Sequence, residues 1–268
     1  MASITTGLAS SGARETRNPL LAFLEWFGEL GIFCVRLAKA TFTPPFEWRE
    51  LVRQMDIVGA LSFPLVAAAG AATGAVMSLQ MRFGLVRFGA KGMLPTVIVL
   101  SLIRETAPVI TSLVVSGRVG AGIGAELGSM KVSEQIDAME ASAVNPYKFL
   151  VATRVLACIM MLPLLTLAAD FCGVIAGWLA SSLQDPISLR LFINHGLQMA
   201  DFGDFLPPTI KTAVFGFIIG TIGCFQGMRT RGGTEGVGRS ATSSVVIASL
   251  LIILADVLLV RFILVFFP

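Results

Sequence analysis

Four of the charged residues that lie within long apolar stretches of the sequence stand out: Arg104, Glu105, Lys211 and Asp256. An ionised group at the centre of a bilayer costs about 2.5–3.5 kcal/mol, so such groups face a cavity or pair with one another. Two interpretations stay open. The side chains form either an ionic knot that holds helices together, or a polar element of a substrate path that changes its pairing during transport. Both predict that the stretches carrying them are neighbours.

A polar segment, 118–148, separates two of the apolar stretches and has an amphipathic pattern. Val132, Ile136, Met139 and Ala143 recur at helical spacing and predict one apolar stripe. A short helix of this kind cannot bury its stripe alone, so it needs the membrane surface or a partner protein. An acidic helical loop is suited to the groove of a separate ATPase subunit.

Residues for catalysis are scarce. His195 is the only histidine, which excludes an HExxH metal site, and we expect it in a solvated external loop. Ser116 lacks a GxSxG context and a base, and no GxxxxGK[ST] motif is present. The sequence therefore predicts no catalytic site, no metal site and no P-loop. Four cysteines without CxxC spacing are interpreted as small buried hydrophobes: Cys34, Cys158, Cys172 and Cys224.

The composition places these residues in a membrane protein. Hydrophobic residues make up 55% of the 268 residues and charged residues 14%, with a mean hydropathy of +0.81. A soluble domain of this length needs more polar surface. The net charge of +3 is too small to indicate nucleic acid. Five stretches are long enough to cross a bilayer: 57–81, 93–117, 149–183, 205–226 and 245–267.

Basic residues orient this all-α polytopic bundle. With the N-terminus inside, the cytoplasmic segments hold 12 of the Lys and Arg residues and the external loops 4. Arg82, Arg87 and Lys91 form an external basic loop that departs from the rule. The third stretch is too long for one straight crossing, so Pro163 kinks it or one end projects.

The N-terminal region differs from the rest. Residues 1–19 are predicted to be disordered, without a cleaved signal peptide. In 20–56, Glu25, Glu29 and Arg36 make one polar stripe on an apolar helix. This pattern favours a helix in the membrane interface, with a spanning helix as the alternative. Residues 57–268 form the five-span domain.

Glycines recur at four-residue spacing within the predicted spans, as in Gly70/Gly74, Gly173/Gly177 and Gly216/Gly220. Small residues at this spacing let helices approach closely in lipid. The pattern predicts helix packing, within the chain or between subunits.

Several linked motifs resemble those of the MlaE/YrbE permeases, the permeases of MCE-type ABC lipid transporters. The resemblance covers about residues 50–266. The motifs are Leu100-Ser-Leu-Ile-Arg-Glu-Thr-Ala-Pro-Val, Ser116-Gly-Arg-Val-Gly, Ala125-Glu-Leu-Gly-Ser-Met, Glu134-Gln-Ile-Asp-Ala-Met-Glu, Ala143-Val-Asn-Pro and Leu162-Pro-Leu-Leu-Thr. The family commonly has Pro-Arg where this chain has Thr153-Arg154.

The resemblance implies a homodimeric permease in the bacterial inner membrane, with an N-terminal interfacial helix and five spans per subunit. Its implied partners are a cytoplasmic ABC ATPase, a periplasmic MCE-domain protein and, in many systems, a STAS-domain protein. ATP and Mg²⁺ belong to the ATPase, so this chain needs no cofactor. The implied substrate is phospholipid or a related lipid in a cavity at the dimer interface.

The resemblance also implies roles for particular residues. The coupling helix that docks the ATPase is placed at about 129–143. Met77, Leu79 and Gln80 match the family's lipid-contacting segment, and the four intramembrane charges match charged positions of the family. The residues assigned to ATPase coupling are Glu126, Lys131, Glu134, Gln135, Asp137 and Glu140.

Other function classes stay open beside the permease. In an ion- or proton-coupled secondary transporter, Glu105 and Asp256 would titrate during the cycle without any ATPase. A membrane scaffold would tolerate neutralisation of the charged residues. An intramembrane enzyme is the least supported class, because no nucleophile and base come together in the sequence.

Overall fold

The structure is a computed structural model that describes residues 19–43, 47–198 and 202–266, and the regular secondary structure in these ranges is all helical. The first half contains α1 (Pro19–Phe42), α2 (Trp48–Gly59), α3 (Phe63–Arg87), α4 (Leu94–Ser101), α5 (Ala107–Val115), α6 (Ala121–Val132) and α7 (Gln135–Ala141). The second half contains α8 (Thr153–Ser182), α9 (Leu189–Leu197), α10 (Phe202–Met228) and α11 (Gly233–Phe266).

Five helical stretches within the described ranges are long and apolar enough to cross a membrane, as the sequence predicts. They are Trp48–Arg87, Lys91–Val132, Tyr147–Ser182, Gly203–Met228 and Gly233–Ile263. The third passes through Pro163 as one helix, α8. The predicted disorder of 1–19 falls almost wholly outside the described residues.

Three π-turns interrupt two of the five stretches. Leu102–Thr106 separates α4 from α5, Ser116–Gly120 separates α5 from α6, and Tyr147–Ala152 precedes α8. Pro108 follows the first π-turn and has no N–H to donate to the carbonyl of Arg104 four residues back. The wider turn accommodates this missing bond, and it carries two of the four intramembrane charges. Single π-turns within helices are frequent at functional sites.

Glycines bring α3 and α8 into backbone contact, as their spacing predicts. A Cβ added to Gly70 would lie 2.5 Å from the carbonyl oxygen of Ala169, and one added to Gly74 would collide with Gly173. Gly216 on α10 packs in the same way against the carbonyl of Cys158 on α8. The small-residue stripes thus join α3, α8 and α10 within a single chain.

The helix α1 packs one side against the bundle and leaves the other uncovered. Phe33 and Leu37 lie in the main hydrophobic core, whereas Phe23, Leu24 and Val35 are exposed. The exposed apolar face suits contact with lipid. This helix is not among the five candidate spans. Its position in the membrane interface stays a prediction.

Candidate functional site

Lys211 on α10 holds carboxylates from two other spans. Its Nζ lies 2.8 Å from Oε2 of Glu105, a residue of the π-turn between α4 and α5. The same Nζ lies 3.0 Å from Oδ1 of Asp256, which is on α11. The Lys211 side chain is 1% exposed. The second, fourth and fifth spans are therefore neighbours, as predicted, and three of the four intramembrane charges form one group. We call Glu105, Lys211 and Asp256 the charged cluster.

The two bonds of Lys211 are not equivalent. The ammonium donates a hydrogen bond to Glu105, whereas Asp256 Oδ1 lies within ion-pair distance but accepts no hydrogen bond among the described residues. Asp256 is 18% exposed and Glu105 is 47% exposed. Glu105 is thus held on one side by Lys211 and open on the other.

Arg104 is not part of this cluster; the sequence predicted that each of the four charges would face a cavity or pair with another of them. It forms an ion pair with Asp204, at the start of α10. Asp204 lies seven residues before Lys211, two helical turns away on the same face of α10. The neighbours Arg104 and Glu105 consequently bind partners at different depths of one helix.

Asp204 lies outside the spans predicted from the sequence, in the loop predicted between 183 and 205, and was not among the predicted site residues. Its i, i+7 spacing from Lys211 is the signal that could have identified it. Asp204 is buried, with 8% of its surface exposed. Arg104 remains 51% exposed although it is paired.

The segment predicted to be cytoplasmic does not form the single helix predicted at 129–143. The helix α6 ends at Val132, Glu134 adopts a left-handed conformation (φ 59°), and α7 begins at Gln135. A left-handed residue cannot continue a right-handed helix. An ion pair of 2.6 Å between Lys131 Nζ and Asp137 Oδ1 joins the two helices across the break.

This break also disperses the predicted apolar stripe. Ile136 is buried in the main core with 1% exposure, and Met139 packs against it. Val132 and Ala143 are exposed. The exposed polar residues of this segment include Glu134, Gln135, Asp137 and Glu140.

Glu126, also assigned to ATPase coupling, already has a partner inside the chain. Its Oε1 accepts a hydrogen bond of 2.8 Å from Nη2 of Arg154, whose side chain is 3% exposed. Arg154 Nη1 donates to the carbonyl of Leu150 at 2.9 Å. Because Glu126 is 55% exposed, it can neutralise the buried guanidinium while one side of its carboxylate faces solvent.

The three residues with a weak assignment to lipid contact have different surroundings. Met77 is half-buried, and its Sδ accepts a hydrogen bond from Thr106 Oγ1 at 3.9 Å. Leu79 and Gln80 are exposed. Met77 therefore touches the same π-turn that carries Arg104 and Glu105.

Two of the three basic residues that depart from the charge rule, Arg82 and Lys91, pair with one acid. Asp185, after α8, lies 2.8 Å from Arg82 and 2.6 Å from Lys91. The hydrogen bond from Lys91 and the nearby charge of Arg82 lower the pKa of Asp185 below its ordinary value. Asp185 thus ties together the ends of the first three spans.

No group of three His, Cys, Asp or Glu side chains able to hold a metal ion is found among the described residues. His195 lies in α9 and not in a loop, which corrects the prediction. Ser188 caps this helix, accepting a hydrogen bond from the N–H of Leu191. The His195 carbonyl accepts a 2.7 Å hydrogen bond from Thr96 and ties α9 to α4.

Comparisons with known proteins agree on one family. Residues 51–262 match the family described as Permease MlaE. A probable ABC transporter permease protein of Rickettsia typhi is 37% identical over 239 residues, which are 89% of this chain and 92% of the relative. One of Synechocystis is 38% identical over 208 residues, 78% of this chain and 79% of the relative. The chloroplastic protein TRIGALACTOSYLDIACYLGLYCEROL 1 of Arabidopsis thaliana is 35% identical over 215 residues, 80% of this chain and 61% of the relative.

Proposed function

This chain belongs to the MlaE permease family of ABC transporter permeases, and we propose that it moves phospholipid or a related lipid between the inner membrane and a periplasmic MCE-domain carrier. ATP hydrolysis is supplied by a separate ATPase subunit. The observation that carries the proposal is a pair of half-exposed charges, Arg104 and Glu105, within an apolar span. The plant relative is named after a galactolipid, and this name supports a lipid as the substrate.

Two half-exposed charged side chains within an apolar span need protein or water around them, because lipid tails cannot solvate them. Arg104 and Glu105 are 51% and 47% exposed in the isolated chain, and contact with lipid tails is unfavourable for either side chain. A second copy of the chain, placed over this face, would enclose them in a polar cavity. This arrangement supports the proposal of a homodimer with a lipid site between its subunits.

The chemistry of such a cavity fits a phospholipid. Arg104 offers a planar guanidinium that binds phosphate through paired hydrogen bonds. Its partner Asp204 is on α10, so a phosphate that replaced Asp204 would loosen the connection between the π-turn and the start of α10. Glu105 and Lys211 would keep the two spans aligned during this exchange.

The exposed polar residues of α7 and of the turn before it are the proposed ATPase docking surface. Glu134, Gln135 and Glu140 are exposed, and Asp137 forms the ion pair with Lys131. Ile136 anchors α7 in the core, so a force on α7 is transmitted to the bundle.

A Glu134→Lys, Glu140→Lys double variant is expected to lose co-purifying ATPase. Glu235→Lys, an exposed acid outside this segment, is the matched control. Unchanged ATPase recovery and rate in the double variant would contradict the docking surface.

One observation favours a second candidate, a proton- or ion-coupled transporter. Asp170 in α8 is buried, and its Oδ1 has no hydrogen-bond partner among the described residues. A buried carboxyl in a span is a common element of proton pathways. This candidate predicts transport by the chain alone under an ion gradient, and its abolition in Asp170→Asn.

The experiment that separates the two candidates is affinity purification of the tagged chain from its native membrane, followed by mass spectrometry of proteins and lipids. Recovery of an ATPase, an MCE-domain protein and phospholipid supports the ABC lipid transporter, and a STAS-domain protein would extend the complex. Recovery of the chain alone, together with gradient-driven transport in liposomes, would overturn it.

A further inference from the structure

A cavity of about 340 Å³ lies where α10 ends and α11 begins, beside α1. It is separate from the charged cluster, none of whose members line it. The lining residues are Trp26, Gln226, Arg229, Thr230, Arg231, Gly236, Arg239, Ser240 and Ser243. We call it the arginine cavity.

The charged side chains that line the arginine cavity are all basic. Its charged members are three arginines and no carboxylate, and its other polar members are an amide and three hydroxyl groups. A guanidinium presents several N–H donors in one plane. The hydroxyl groups of Thr230 and Ser240 already donate to the carbonyls of Gln226 and Gly124, so the hydroxyl donor that remains for a ligand is that of Ser243. This is the donor set that binds a phosphate group.

Two of the arginines have acidic partners at the edge of the cavity. Arg229 lies 2.7 Å from Glu29 on α1, and Arg239 lies 3.0 Å from Glu235 on the first turns of α11. The four side chains of these pairs are between 44% and 83% exposed. Ion pairs this exposed contribute little to stability. Arg231 makes no ion pair with any residue that the structure describes, so its charge is available to a ligand.

The position of the cavity indicates where the phosphate comes from. Residues 229–244 precede the apolar part of α11, and the predicted topology puts them on the cytoplasmic side. Trp26 on α1 forms one wall, and tryptophan is enriched at the level of lipid headgroups. Gly236 packs against the carbonyl of Arg231, which holds the start of α11 and its positive helix end close to the cavity.

We propose that the arginine cavity binds the phosphate of an anionic phospholipid in the cytoplasmic leaflet. The acyl chains would lie along the exposed apolar face of α1, and the headgroup would join α1 to α10 and α11. This inference uses the predicted topology but does not depend on ATP-driven transport. Its failure would leave the proposed function unaffected.

The test measures lipid retention by the purified full-length chain. The chain is equilibrated in mild detergent with equal amounts of phosphatidylglycerol and phosphatidylethanolamine, and bound lipid is counted by native mass spectrometry. The wild type is expected to retain phosphatidylglycerol preferentially. An Arg231→Gln, Arg239→Gln double variant is expected to retain it about tenfold less, because hydrogen bonds to charged groups are the strong ones. Arg49→Gln, which removes an exposed charge on the same predicted side, is the control.

Further measurements separate folding and free-anion effects from lipid binding. Size-exclusion and circular dichroism profiles establish that the double variant is folded. If it is not, the single variant Arg231→Gln carries the test, with Arg231→Lys expected to restore part of the retention. Equal retention by wild type and variant overturns the proposal. Inorganic phosphate that raises the Tm of the wild type as much as phosphatidylglycerol does would assign the cavity to a free anion and overturn the lipid assignment.

Discussion

Replacing Lys211 by Met should destabilise the chain through the two carboxylates that it leaves behind. Glu105 Oε2 and Asp256 Oδ1 lie 2.8 and 3.0 Å from Nζ, so they are at most the total of these distances, about 5.8 Å, apart. Two unit charges at this distance repel one another by about 3 kcal/mol at an effective dielectric constant of about 20. Removing one partner of a buried pair costs about 3–5 kcal/mol. Because Glu105 is half exposed, we expect the lower end, about 3 kcal/mol.

The measurement is thermal unfolding in mild detergent. A loss of about 3 kcal/mol corresponds to a Tm lower by about 6–12 °C for a chain of this size. Adding Glu105→Gln to Lys211→Met removes the repulsion and should recover part of the loss, with a coupling energy of about 1–3 kcal/mol. The exposed Lys39→Met is the control and should leave the Tm unchanged. Additive single effects, or a Lys211→Met chain as stable as the wild type, would refute the assignment of Lys211 as the centre of the cluster.

Three further predictions concern stability, each measured as Tm in the same detergent. Gly74→Val should cost about 3 kcal/mol or more because its Cβ meets the Gly173 backbone, whereas Gly84→Ala, with open space around it, should be neutral; equal Tm values for the two variants would contradict the helix contact. Glu126→Ala should cost more than Arg154→Met, because it leaves a buried guanidinium unpaired whereas the reverse change leaves a half-exposed carboxylate; the opposite order would contradict the buried pair. The lowered pKa of Asp185 stabilises the fold above about pH 3.9, the ordinary value for Asp, and this contribution is lost as the pH falls through the lower folded pKa. The Tm difference between wild type and Asp185→Asn should therefore be constant near neutral pH and vanish in acid; a difference that persisted in acid would contradict the assignment.

Much of the architecture can be predicted from the hydropathy of the sequence, the spacing of its glycines and the energetic cost of burying charge. The five spans and the close packing of glycine-bearing helices follow from properties that are local in sequence, whereas the pairing of α3 with α8 is known only from the structure. The proximity of Glu105, Lys211 and Asp256 follows from the principle that intramembrane charges pair. These inferences needed no knowledge of the helix arrangement.

Other features depend on tertiary structure and escaped the sequence analysis. The choice of Asp204 as the partner of Arg104 required the depth of α10 relative to the π-turn. The left-handed backbone of Glu134 causes the break between α6 and α7. No glycine or proline lies at that point, so the local sequence gives no signal of a break. The burial of Ile136 and the engagement of Glu126 by Arg154 likewise depend on contacts distant in sequence.

The π-turns determine which faces of the second membrane stretch contact the neighbouring helices. Each adds one residue to a helical turn, and one residue corresponds to about 100° of rotation. The face that α4 presents to α9 is therefore not in phase with the face that α6 presents to α10 and α11. One continuous stretch can thus have different neighbours at its two ends. Deleting a single residue from Leu102–Thr106 would bring α4 and α5 into phase, turning every side chain on one side of the deletion to a new partner.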